Sequence, residues 1–128
     1  MKKEMLWELP IFSQELSGVN LYCDGIEAKL ELTHCSDIFV IQFIGVCCYR
    51  HSRERFMDLN IMDGCYDKMT MIQESEWISE LKKLHETARE QMSLKSPKHY
   101  AIYLDSVGLY EFIADNVQLY KNGLEIAT

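Results

Sequence analysis

Apolar and polar positions alternate with a period of two along much of this chain, the mark of strands with one dry face. Val19–Cys23 alternates, Asp24-Gly25 is a strong turn pair, and Ile26, Ala28, Leu30 and Leu32 then interleave with Glu27, Lys29, Glu31 and Thr33. That arrangement predicts a β-hairpin, because both turn residues tolerate positive φ. The run from Asp37 to Arg50 is the richest in β-branched and aromatic residues, and both its faces begin apolar. It reads as one central strand covered on both sides. Gly45 interrupts it, which suggests a bulge or a close backbone approach. A second hairpin is expected from His99–Leu104 and Leu109–Ala114 about Asp105-Ser106-Val107-Gly108, with a short strand at Val117–Tyr120 before a frayed end.

One segment has the helical period instead. Ser75 is a good N-cap and Glu76 puts a negative charge in the first turn. Trp77, Leu81, Leu84 and Ala88 recur at spacings of four, three and four, opposite Glu80, Lys83, Glu86 and Glu90. An amphipathic helix over about 75–92 follows, its stripe packed on the 38–49 strand. Pro10 biases Leu9 away from helix, so residues 1–16 read as an extended or irregular arm anchored by Trp7 and Phe12. Residues 56–66 suggest a shorter strand and turn, and 68–72 a weak strand or loop. Together these elements predict an α+β fold: one mostly antiparallel sheet of about five to seven strands, one main helix on one face, and a single domain over 1–128.

Charge narrows the partners. Thirteen basic and twenty acidic side chains give a net charge of −7, and the acidic excess is spread over both halves. Such a surface argues against nucleic acid and anionic membrane, which are held by basic patches, and leaves basic proteins. No apolar run approaches the roughly 20 residues of a membrane span, and Glu4, Glu8 and Pro10 break any signal-peptide core near the N-terminus. Five cysteines, an odd number set in apolar surroundings, fit a reduced cytoplasmic protein better than a disulfide framework.

Chemistry is sparsely marked. The four histidines are scattered and no Cys-x-x-Cys occurs, so no metal or other cofactor is expected. The Asp58–Gly64 stretch fails as a calcium loop because Met62 holds the fifth position and the glycine comes one residue late. No Gly-x-Ser-x-Gly turn or glycine-rich phosphate loop is present, and the reading is of a non-enzyme. Arg50, His51, Arg53 and Glu54 belong to the one basic cluster, which could pair with carboxylates through guanidinium forks. Tyr100, Tyr103 and Tyr110, on the terminal hairpin, are of the type enriched at interfaces. These seven residues are the expected partner-binding set.

Asp37–Glu54 and His99–Leu119, separated by a helix with Trp77 near its start, resemble small bacterial α+β proteins, some of them immunity proteins of polymorphic toxin and contact-dependent growth inhibition systems. The resemblance covers about half the chain. It implies a cytoplasmic inhibitor, monomer or homodimer, that binds and blocks one cognate toxin domain, often a basic nuclease. It carries over no contact residues, because such families diversify their binding faces. The alternative is a small-ligand-binding or enzymatic domain, which would need a pocket lined by convergent polar groups. The cysteine reading has a direct check: alkylation under non-reducing conditions, after unfolding, should modify five thiols. A chain-internal disulfide would lower that number.

Overall fold

The computed structural model describes residues 2–53, 56, 59–87 and 97–128. The predicted helical residues 88–92, Ala88 among them, and Glu54 lie outside these. Among these residues, ten strands, β1 (Lys2–Glu8), β2 (Gly18–Asp24), β3 (Glu27–His34), β4 (Asp37–Ile44), β5 (Cys48–Ser52), β6 (Lys68–Gln73), β7 (Lys98–Leu104), β8 (Gly108–Ala114), β9 (Asn116–Lys121) and β10 (Leu124–Ala127), are joined by a 3-10 turn (Ser13–Glu15) and two helices, α1 (Leu59–Met62) and α2 (Glu76–Thr87). The strands form two five-stranded antiparallel sheets, ordered β1-β6-β7-β8-β5 and β10-β9-β4-β3-β2. The α+β expectation of one sheet with one main helix is therefore corrected: the chain is a mostly β, two-sheet structure.

The error lies in the 37–50 run. It is not one strand but two, β4 in one sheet and β5 in the other, with Gly45-Val46-Cys47 as the crossing. The chain crosses back at Asp115, between β8 and β9. The two crossings lie side by side, since Asp115 N–H donates to Ile44 O at 2.9 Å and Cys47 N–H to Ile113 O at 2.8 Å. Gly45 is buried at φ +70°, and a Cβ there would collide with the Asp115 carboxylate. The close backbone approach expected at Gly45 is thus found, at a corner between sheets.

The core fills the space between the sheets. Ala28, Leu30, Leu32, Phe39, Ile41, Phe43, Val117 and Leu119 enter from one side, and Trp7, Met69, Tyr100, Ile102, Tyr110 and Phe112 from the other. Phe43 and Phe112 stack across the gap with ring centroids 3.8 Å apart. The β2–β3 hairpin forms as predicted, one residue out of phase: Asp24 pairs with Glu27, so Gly25-Ile26 make the turn.

Other expectations change with the second sheet. The N-terminal arm is β1, an edge strand paired with β6, with Trp7 buried but Phe12 61% exposed. Residues 59–62 are helical rather than extended, and β10 replaces the frayed end. Both helices pack against β7, not on β4. Leu84 is 65% exposed, so the predicted stripe does not face a sheet along its length. A second small core of Ile61, Cys65, Ile72, Ala101, Tyr103 and Leu109 lies on this helical side. The β1-β6-β7-β8-β5 sheet is thus covered on both faces and is called the covered sheet. The other, the open sheet, has no layer over its outer face among the described residues. No described helix is long and apolar enough to cross a membrane.

The corner generates a prediction. Gly45→Ala meets both a disfavoured φ and the Asp115 side chain, so equilibrium urea unfolding should show a loss of roughly 1–3 kcal/mol. A neutral effect would mean that the corner is not tightly packed.

Candidate functional site

On the helical side of the covered sheet, period-two alternation puts His99 on the same face as Ala101 and Tyr103, and Glu111 on the same face as Leu109 and Ile113. Antiparallel register then sets Ala101 opposite Glu111 and Glu111 opposite Arg50. Glu111 and Arg50 thus adjoin across β8 and β5, with His99 in the neighbouring row. Glu111 and His99 are each 2% exposed. A buried carboxylate is costly unless it is paired, and Glu111 is paired twice. Arg50 grips it with Nε at 2.7 Å and Nη2 at 2.9 Å, and His99 Nε2 lies 2.8 Å from Oε1. Burial works to raise the Glu111 pKa, but the hydrogen bonds from His99 and Arg50 and the guanidinium charge more than offset it, holding the carboxyl below its ordinary 4.5.

The network continues into α2. Ser75 caps this helix, its Oγ accepting from Ile78 N–H at 3.2 Å, and the same oxygen lies 2.8 Å from His99 Nδ1. Trp77, in the first turn, sets its ring 4.1 Å from the Arg50 guanidinium carbon and edge-on to His99 at 5.3 Å. The cap, the indole and the buried ion pair together moor α2 to the sheet. Ser75, His99, Arg50 and Trp77 open onto a cavity of about 430 Å³, with Ile61 and Ile72 on its apolar side and Glu74, Glu76 and Glu80 also in its lining.

Of the described residues expected to bind a partner, Arg50 alone lines this cavity. His51 is exposed but held, stacked on Tyr110 at 4.4 Å with Nε2 2.7 Å from Val107 O. Arg53 is exposed at the end of β5. The tyrosines are not surface groups: Tyr100 is 3% exposed and Tyr103 and Tyr110 are 7%. Alternation sends them to opposite faces of the covered sheet, and both faces are packed. Burial pushes the Tyr100 hydroxyl up to about 12. No local motif joins Ser75, His99 and Glu111, because 36 residues of sequence separate the first from the last. One signal was present: Glu111 stands alone in the apolar run Leu109–Ala114 and so requires a buried partner.

The outer face of the open sheet has a different character. Its rows, read across the strands, are Asn20-Glu31-Val40-Tyr120-Glu125 and Tyr22-Lys29-Gln42-Gln118, flanked by Thr33-Ile38 and by Asp24-Glu27-Ile44-Asn116. Four carboxylates therefore share this face with one lysine. Tyr22 is 54% and Ile38 43% exposed. All five thiols are free. Cys48 is pushed up to about 11 by burial and then by neighbouring Cys47, so it stays protonated and a poor nucleophile at neutral pH. Comparison with protein-family models, with curated proteins and with solved structures finds no match.

The Glu111 ion pair predicts a pH signature. Because the folded-state pKa is depressed, its stabilisation is present above the unfolded value near 4.5 and is lost as pH falls through the folded pKa. Glu111→Gln should lower stability at pH 7 by roughly 1–3 kcal/mol, the cost of removing hydrogen bonds to a charged buried group. Denaturation measured from pH 7 downward should show the wild-type advantage shrinking below about pH 4.5. An advantage constant with pH would contradict the pairing.

Proposed function

We propose that this protein is a cytoplasmic, immunity-type inhibitor that binds a basic protein partner, a toxin domain, through the outer face of its open sheet. The observation that carries this reading is the composition of that bare face: acidic at its margins, with Tyr22, Ile38, Val40 and Tyr120 supplying apolar and aromatic area between the acids. The carboxylates and the net charge of −7 favour encounter with a basic surface. Tyrosines give rigid anchors of the kind that dominate binding energy. A standard interface buries about 800 Å² per partner, and a five-stranded face is of that order.

This places recognition away from the terminal hairpin, whose tyrosines are committed to packing. The basic cluster at Arg50–Arg53 has no part in holding a basic partner.

The test is co-expression with the toxin domain encoded in a neighbouring reading frame. Growth should be rescued and a one-to-one complex should co-purify, weakening as salt rises. Combining Glu31→Lys with Tyr120→Ala should reduce affinity by roughly tenfold or more without lowering the melting temperature. A complex of undiminished affinity with that variant, or no complex with any neighbouring product, would refute the proposal.

A further inference from the structure

The network beneath α2 has more order than mooring a helix requires. Glu111, an ionised carboxylate gripped by Arg50, can only accept, so His99 Nε2, 2.8 Å from Oε1, carries a proton. In the neutral ring Nδ1 is then an acceptor, and the Ser75 hydroxyl, 2.8 Å away, is its donor, while Ser75 Oγ also accepts the Ile78 N–H. Hydroxyl, imidazole and carboxylate thus form one directed chain, each donor facing the next acceptor. Ser75 and His99 open onto the cavity while Glu111 lies behind them, clamped by Arg50. A nucleophile, a base and a group that orients the base are the parts of acyl-transfer chemistry.

We propose that Ser75, His99 and Glu111 form a hydrolytic triad that cleaves small carboxylic esters in this cavity. Ser75 Oγ attacks the ester carbonyl carbon while His99 Nδ1 takes the hydroxyl proton. The tetrahedral intermediate collapses, the C–O bond to the alcohol breaks, and His99 returns the proton to the departing oxygen. Water then attacks the acyl-serine, again giving a proton to His99, and the acid leaves as Ser75 regains its hydrogen. Glu111 stays ionised throughout, stabilising the imidazolium, and Arg50 is a positioning residue that keeps the carboxylate ionised and aimed.

The helix supplies the remaining requirement. The N–H groups of Glu76 and Trp77 lie in the first turn of α2, where helix geometry provides no intrahelical acceptor and the dipole favours developing negative charge. A cavity of about 430 Å³ suits a small substrate. Glu74, Glu76 and Glu80 around it disfavour anionic substrates, so the class is neutral or cationic esters, with the acyl group against Ile61 and Ile72. This inference is independent of the partner-binding reading, which concerns the opposite sheet.

The experiment treats the full chain with a fluorophosphonate probe, maps the adduct by peptide mass, and measures hydrolysis of p-nitrophenyl acetate and acetylcholine. Wild type should be labelled at Ser75 and should hydrolyse at least one of the two esters with saturation. His99→Gln should lose roughly 10²–10⁴-fold in rate. Ser75→Asn keeps an oxygen for the helix cap but no nucleophile, and should remain folded by circular dichroism with no labelling and no turnover. Arg50→Lys should lower kcat more than it raises KM. Wild type unlabelled at Ser75, or hydrolysing no faster than folded Ser75→Asn, would reduce the network to a helix anchor and overturn the proposal.

Discussion

The two side-by-side crossings at Gly45 and Asp115 are the constraint on which the rest of the molecule depends. There β4 passes into β5 and β8 into β9, and the backbone hydrogen bonds Asp115–Ile44 and Cys47–Ile113 keep the pair together through the corner. One pair of neighbouring segments thus contributes to both sheets, so neither sheet can shift without the other. The Phe43–Phe112 stack sits just inside, with one ring from each sheet. Gly45 is required because its φ is positive and the Asp115 carboxylate fills the space a side chain would take.

The corner also separates the two surfaces. Arg50 reaches the helical side of the covered sheet because β5 follows the crossing, and there it meets Glu111 directly across the strand pair. Before the crossing, β4 presents Ile38, Val40 and Gln42 to the outer face of the open sheet. A single stretch of chain therefore supplies a buried ion-pair network on one side and a bare acidic, aromatic face on the other. The network rigidifies α2 and its cavity. The bare face carries the acids and tyrosines of the proposed docking surface.

The strands were legible because alternation is a local property. Ala28, Leu30 and Leu32 announce one dry face, and the β2–β3 and β7–β8 hairpins follow from turn residues between alternating runs. What local pattern cannot encode is which sheet a strand joins. Both halves of 37–50 look like central strand, and the change of partner at Gly45 leaves only a lone glycine as its mark. The same blindness explains Tyr100, Tyr103 and Tyr110: alternation says they take opposite faces, but not that both are packed. The Trp77, Leu81, Leu84 and Ala88 spacing predicts a shared helix face, whereas burial depends on how far the sheet extends beneath it, and Leu84 is exposed. Ser75 was legible as an N-cap, but its link to His99 exists only once β7 is placed under the helix.

The most direct test of this architecture is native-state hydrogen exchange at the Asp115 and Cys47 amides. If the paired crossings hold the sheets together, both amides exchange only through global unfolding, with the same free energy as central-strand amides such as Ile41 and Ile102. Exchange at the corner through local opening, at clearly lower free energy while the central strands stay protected, would contradict the account.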